Sequence, residues 1–130
     1  MDDITDRGDA TGPLDPRVLS ELAEMQRKGR PGFMQHVITL YLQTAADLIK
    51  ELEAASVRNE AATLYRASHT LKPCSATVGA LSLAALCEAL ESATRRGSVP
   101  DPEARVEAIA DEYKRVERAL AGYAIPQHNR

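Results

Sequence analysis

Between Phe33 and about Ala55 the chain carries apolar side chains on two interleaved lines, and that double stripe restricts its fold more than any other feature. Phe33, Val37, Tyr41, Ala45, Leu48 and Leu52 recur every three or four residues, and Met34, Ile38, Leu42 and Ile49 widen the stripe. The spacing is that of an α-helix of about six turns. An apolar face this broad needs more than one neighbour to cover it, so the helix belongs in a bundle.

The rest of the chain supplies those neighbours. Leu14-Asp15-Pro16 opens a short first helix: Asp15 can cap it, Pro16 suits the first helical position, and Leu14 can staple onto Leu19. Val18, Leu19, Leu22 and Met25 form its apolar face, and Gly29 and Pro31 end it. This helix is expected to pack across one end of the bundle. Asn59 is read as the cap of a third helix running to about Val78. Gly79 then supplies a left-handed turn, and Ala80 begins a fourth helix with the seam Leu83, Leu86, Cys87 and Leu90. After Gly97-Ser98-Val99-Pro100, the pair Asp101-Pro102 repeats the Asp-Pro start, and Val106, Ile109, Ala110, Tyr113, Val116 and Leu120 carry the last helix to about Gly122. Only five residues are Phe or Tyr and none is Trp, which favours helix over sheet. The expected fold is all-α: an antiparallel up-down four-helix bundle with an additional short N-terminal helix, occupying residues 14–123. Residues 1–13 are expected to be a flexible arm and 124–130 a polar tail.

The third helix carries the chemistry. At about 100° per residue, Leu64, Ala67, Ser68, Leu71, Ser75 and Val78 share one buried stripe. His69 falls roughly 140° from Leu64, facing water, and Lys72 sits beside it at the (i, i+3) spacing that lets side chains meet. Ala62, Tyr65, Arg66, Pro73 and Ala76 share that face, and of the six flanking side chains, counting Lys72, three are too small to screen the ring. A free imidazole titrates at about pH 6.5, so neutral pH leaves a nucleophilic fraction. Phosphoryl transfer asks mainly for positioning and charge neutralisation, and Lys72 can bring its ammonium to phosphate oxygens.

His69-Thr70-Leu71-Lys72, then Ser75, Val78-Gly79-Ala80, and Leu86-Cys87-Glu88-Ala89-Leu90-Glu91 resemble the motif of histidine phosphotransfer (HPt) domains. The likeness covers two helices, about a third of the chain. It implies a phosphorelay carrier: a receiver domain brings the aspartyl phosphate and its Mg²⁺, the group passes to Nε2 of His69, and a second receiver takes it on. The implied partners are receiver domains of response regulators and of a hybrid sensor kinase. His69 would be the phosphoacceptor and Lys72 the stabiliser of phosphoryl charge. Ala62, Tyr65, Arg66, Pro73 and Ala76 would be the landing surface, with exposed parts of the preceding long helix. The sequence departs from the family pattern at Pro73, where glycine or serine is usual. A proline there removes the hydrogen bond to the carbonyl of residue 69 and predicts a kink one turn after His69.

Other functions are disfavoured. There is no acidic cluster suited to Mg²⁺, no Walker glycine loop and no nucleotide-binding half, so the chain itself is not expected to take phosphate from ATP. The net charge of −3, without a basic tract, argues against nucleic acid. No apolar run approaches the roughly 20 residues that cross a bilayer, and a cytoplasmic monomer is expected. Cys74 and Cys87 point inward while His69 points outward, so these three make no metal site and the thiols read as core filling. His36 has no partner at ligand spacing and reads as a surface or half-buried residue. The initiating methionine and polar ends favour a complete small protein over a fragment of a sensor kinase. The remaining rival is a helical adaptor that binds a receiver or kinase without being phosphorylated, a role that would need neither His69 nor Lys72.

Overall fold

A computed structural model describes residues 12–123. The expected arm and tail lie outside them, apart from Gly12 and Pro13. The described residues form five α-helices: α1 (Pro16–Arg27), α2 (Phe33–Val57), α3 (Ala61–Thr77), α4 (Leu81–Thr94) and α5 (Pro102–Leu120), closed by one 3₁₀ turn (Ala121–Tyr123). Each of the four long helices packs on the next, and α5 returns to α2. That order of packing, with connections of only three residues on either side of α3, fits the up-and-down bundle. The double stripe of α2 is buried as Met34, Ile38, Tyr41, Ala45, Ile49 and Leu52. Leu64 and Leu71 of α3, Leu83 and Leu90 of α4, and Ile109, Val116 and Leu120 of α5 complete one continuous core.

Helix α1 packs on α2 and is pinned to the turn between α3 and α4. Asp15 accepts a hydrogen bond from the backbone N–H of Arg17, capping α1, while its own N–H donates to the carbonyl of Gly79 at 2.8 Å. Gly79 has φ +82°, and a Cβ there would stand 3.1 Å from the Asp15 carbonyl oxygen and 3.1 Å from Val18 Cβ. Both the backbone conformation and the close approach therefore require glycine.

Two expected caps are not formed. Asn59 has φ +50°, and Glu60, not Asn59, precedes the first turn of α3. The Asn59 side-chain amide instead donates to the Val99 carbonyl (3.1 Å) and Ser98 Oγ (3.4 Å), tying the α2–α3 turn to the loop before α5. Val99 is buried beside it. Asp101 likewise adopts φ +49° and caps nothing, because the chain turns left-handed to enter α5. Helix α3 runs on through Pro73, whose carbonyl accepts a hydrogen bond from Thr77 Oγ1 at 3.0 Å.

Candidate functional site

The site is built across α3 and α4, the two helices with the most extensive mutual packing. The buried stripe of α3 (Leu64, Ala67, Ser68, Leu71 and Ser75) fixes which way the helix faces. Two buried hydroxyls sharpen that orientation: Ser68 Oγ donates to the Leu64 carbonyl, and Ser75 Oγ lies 2.9 Å from the hydroxyl of Tyr41 on α2. With the stripe inward, the His69 side chain keeps 57% of its surface in solvent. Ala62, Arg66 and Pro73 are exposed around it, and Tyr65, Lys72 and Ala76 are half-buried. Arg66 also lies 3.5 Å from Glu51 of α2, an exposed pair. Further along the α2–α3 face an open apolar groove is lined by Val37, Leu40, Tyr41, Thr44, Cys74 and Thr77.

Glu91 organises what His69 and Lys72 do. It is 2% exposed, although a carboxylate is seldom buried without partners. Its partners arrive from both helices. His69 Nδ1 lies 2.8 Å from Oε2, Arg95 Nη2 lies 3.3 Å from the same oxygen, and Lys72 Nζ stands 2.9 Å from Oε1. The Lys72 ammonium first, and the His69 ring second, hold the Glu91 carboxyl below its ordinary value, outweighing the opposing effect of burial. The same contact raises Lys72. An ionised carboxylate can only accept hydrogen bonds, so the His69 proton sits on Nδ1. In the neutral ring Nε2 is then the nitrogen with a free lone pair, and it faces away from Glu91. The Tyr65 ring stacks on the imidazole, with centroids 5.4 Å apart and planes 12° from parallel.

His69 and Lys72 are thus brought together, but through a residue to which no role was given. The sequence did contain a signal for it. Leu83 and Cys87 step along the α4 seam by four, and the next step lands on Glu91, a charge where an apolar side chain belongs. Lys72 is also not free-standing, since its ammonium is already paired. Cys87 lies inside the core, where burial pushes its thiol up to about 12, which leaves it unreactive at neutral pH. Among the described residues no group of three or more His, Cys, Asp or Glu side chains could hold a metal ion, and no helix is long and apolar enough to cross a membrane.

The α3–α4 face thus presents an outward imidazole, its Nδ1 held by a buried carboxylate, beside a paired lysine on a helical bundle. The model of the Hpt domain matches residues 36–119, and the chain belongs to that family of histidine phosphotransfer proteins. Its structure is similar to the crystal structure of histidine-containing phosphotransfer protein B (HptB) from Pseudomonas aeruginosa PAO1. The TM-score is 0.76 at 26% sequence identity, over 86% of this chain and 94% of that one. No curated protein matches the chain.

Proposed function

We propose that this chain carries a phosphoryl group between receiver-domain aspartates, with His69 as the acceptor. The observation that carries the reading is the solvent-facing ring whose Nδ1 is bound to Glu91, which leaves Nε2 to attack. Attack by the Nε2 lone pair forms the N–P bond. The P–O bond to the receiver's aspartate breaks, and the carboxylate leaves with the electron pair. The Nδ1 proton stays on the ring, which becomes positively charged, and the Glu91 carboxylate stabilises that charge at 2.8 Å. Lys72 lies one turn along on the same face, where it can exchange Glu91 for a phosphoryl oxygen.

The receiver is taken to supply the aspartyl phosphate and Mg²⁺. Ala62, Tyr65, Arg66, Pro73 and Ala76 form the landing surface, and the apolar groove around Leu40 extends it onto α2. The two receivers proposed as its partners are that of a hybrid sensor kinase and that of a response regulator. A core closed within one chain supports a monomeric carrier, and residues 14–123 are the unit proposed to carry the activity.

The test is incubation of wild type and His69→Gln with a receiver domain charged by radiolabelled acetyl phosphate. Acid-labile label is expected on wild type alone. Label on both proteins would overturn the reading by removing His69 as the acceptor, and label on neither would overturn it and leave a non-transferring adaptor.

A further inference from the structure

The ring of His69 is held at its edge by α4 and on its face by α3. A histidine on an exposed helix face is ordinarily free to change rotamer about two side-chain bonds. Glu91 restrains Nδ1 from the neighbouring helix, but one hydrogen bond still allows the ring to rock about that contact. The second restraint comes from Tyr65. Side chains on a helix lean toward its N-terminus, so the imidazole reaches back over the turn that carries Tyr65, four residues earlier. The two rings meet as a near-parallel stack, at a separation where aromatic pairs attract.

We infer that Tyr65 is a positioning residue for phosphoryl transfer rather than only a contact for the partner. It fixes the plane of the imidazole and places an aromatic face beside the positive charge that appears on the ring. The inference rests on the acceptor role proposed for His69. Two effects act together. A ring held in one plane keeps the Nε2 lone pair in line for attack, where small misalignments are costly. When the N–P bond forms and Nδ1 keeps its proton, the charged ring lies against a π face that attracts cations. Both effects belong to the aromatic ring and neither needs the hydroxyl. Tyr65→Phe should therefore retain them, whereas Tyr65→Leu keeps an apolar side chain and loses them.

The experiment measures single-turnover transfer from a receiver domain charged with acetyl phosphate, the Kd for the same uncharged receiver, and the NMR shifts of the His69 ring protons. For Tyr65→Leu the expected result is a transfer rate at saturating receiver lower by about tenfold, a Kd weakened by much less than that, and loss of the upfield ring-current shift. Tyr65→Phe should stay within about twofold of wild type and keep the shift. Tyr65 is half-buried on the outer side of α3, so both variants are expected to fold, which thermal unfolding checks. A Tyr65→Leu rate equal to wild type overturns the inference. So does an equal loss in both variants, which would assign the effect to the hydroxyl, or a slower rate explained by a weaker Kd, which would leave Tyr65 a docking contact. Absence of label on wild type itself would instead overturn the acceptor reading.

Discussion

Glu91 and Glu112 are both carboxylates turned inward by a helix, at 2% and 8% exposure, and burial alone does not tell them apart. Their partners do. Glu112 pairs with Arg115, three residues along the same helix, with Nη2 2.8 Å from Oε1. A single helix can make that contact without any tertiary structure. Glu91 takes one partner from its own helix, Arg95, and two from α3, His69 and Lys72, which lie about twenty residues away in the chain. The contacts with His69 and Lys72 exist only once α3 and α4 have packed. A buried charge therefore marks a site when it gathers groups from separate elements, and is ordinary surface electrostatics when it does not.

The strongest way to break this contrast is to remove Glu91. In Glu91→Ala, His69 loses the restraint on Nδ1 and either nitrogen can carry the proton. Transfer from a charged receiver should fall on the order of 100-fold, as expected when a reacting group loses its orientation. Stopped-flow measurement at saturating receiver separates this loss from weaker docking. A rate within about twofold of wild type would show that the carboxylate only fills its place in the core.

A smaller effect should appear in the acid range. The Glu91 carboxyl lies below its ordinary value of 4.5 in the folded protein, held there first by Lys72 and then by His69. The unfolded chain therefore binds more protons over the interval between the two values, and stability rises with pH across it. The contribution is fully present above about pH 4.5 and is lost as pH drops through the lower, folded value. Denaturant midpoints of wild type and Glu91→Gln should accordingly converge as pH is lowered through that interval. A gap that stays constant down to complete acid unfolding would mean that the ionised carboxylate contributes nothing.

The same contrast explains what the sequence made legible. The helices, the core lines and the outward face of His69 follow from periodicity, because which face of a helix is buried is decided residue by residue along it. Glu91 shows in the sequence as a charge on the apolar seam of α4, but its partners do not, since an ion pair between helices depends on their register, which no local pattern encodes. The two Asp-Pro helix starts part ways for the same reason. Asp15 caps α1, while Asp101, in the same dipeptide, enters α5 with φ +49° and caps nothing. Likewise Asn59 has a capping side chain, but the loop around Val99 offers it a carbonyl across the bundle and takes it from α3. Local chemistry names the options, and packing between elements chooses among them.

Glu112 supplies the smallest expected effect, and the one that most sharpens the comparison. Its partner Arg115 keeps 54% of its side chain in solvent, so water screens the pair and replaces it readily when it is lost. Glu112→Ala should change the unfolding free energy by less than about 1 kcal/mol. Among the described residues no hydrogen bond or ion pair joins Glu112 to His69, Lys72 or Glu91, so transfer through His69 should be unchanged. Denaturant unfolding and the transfer assay, run beside Glu91→Ala, make the comparison direct. If removing Glu112 slowed transfer as much as removing Glu91, convergence of partners would not be what separates the two carboxylates. The bundle as a whole, through its net charge, would then be setting the rate.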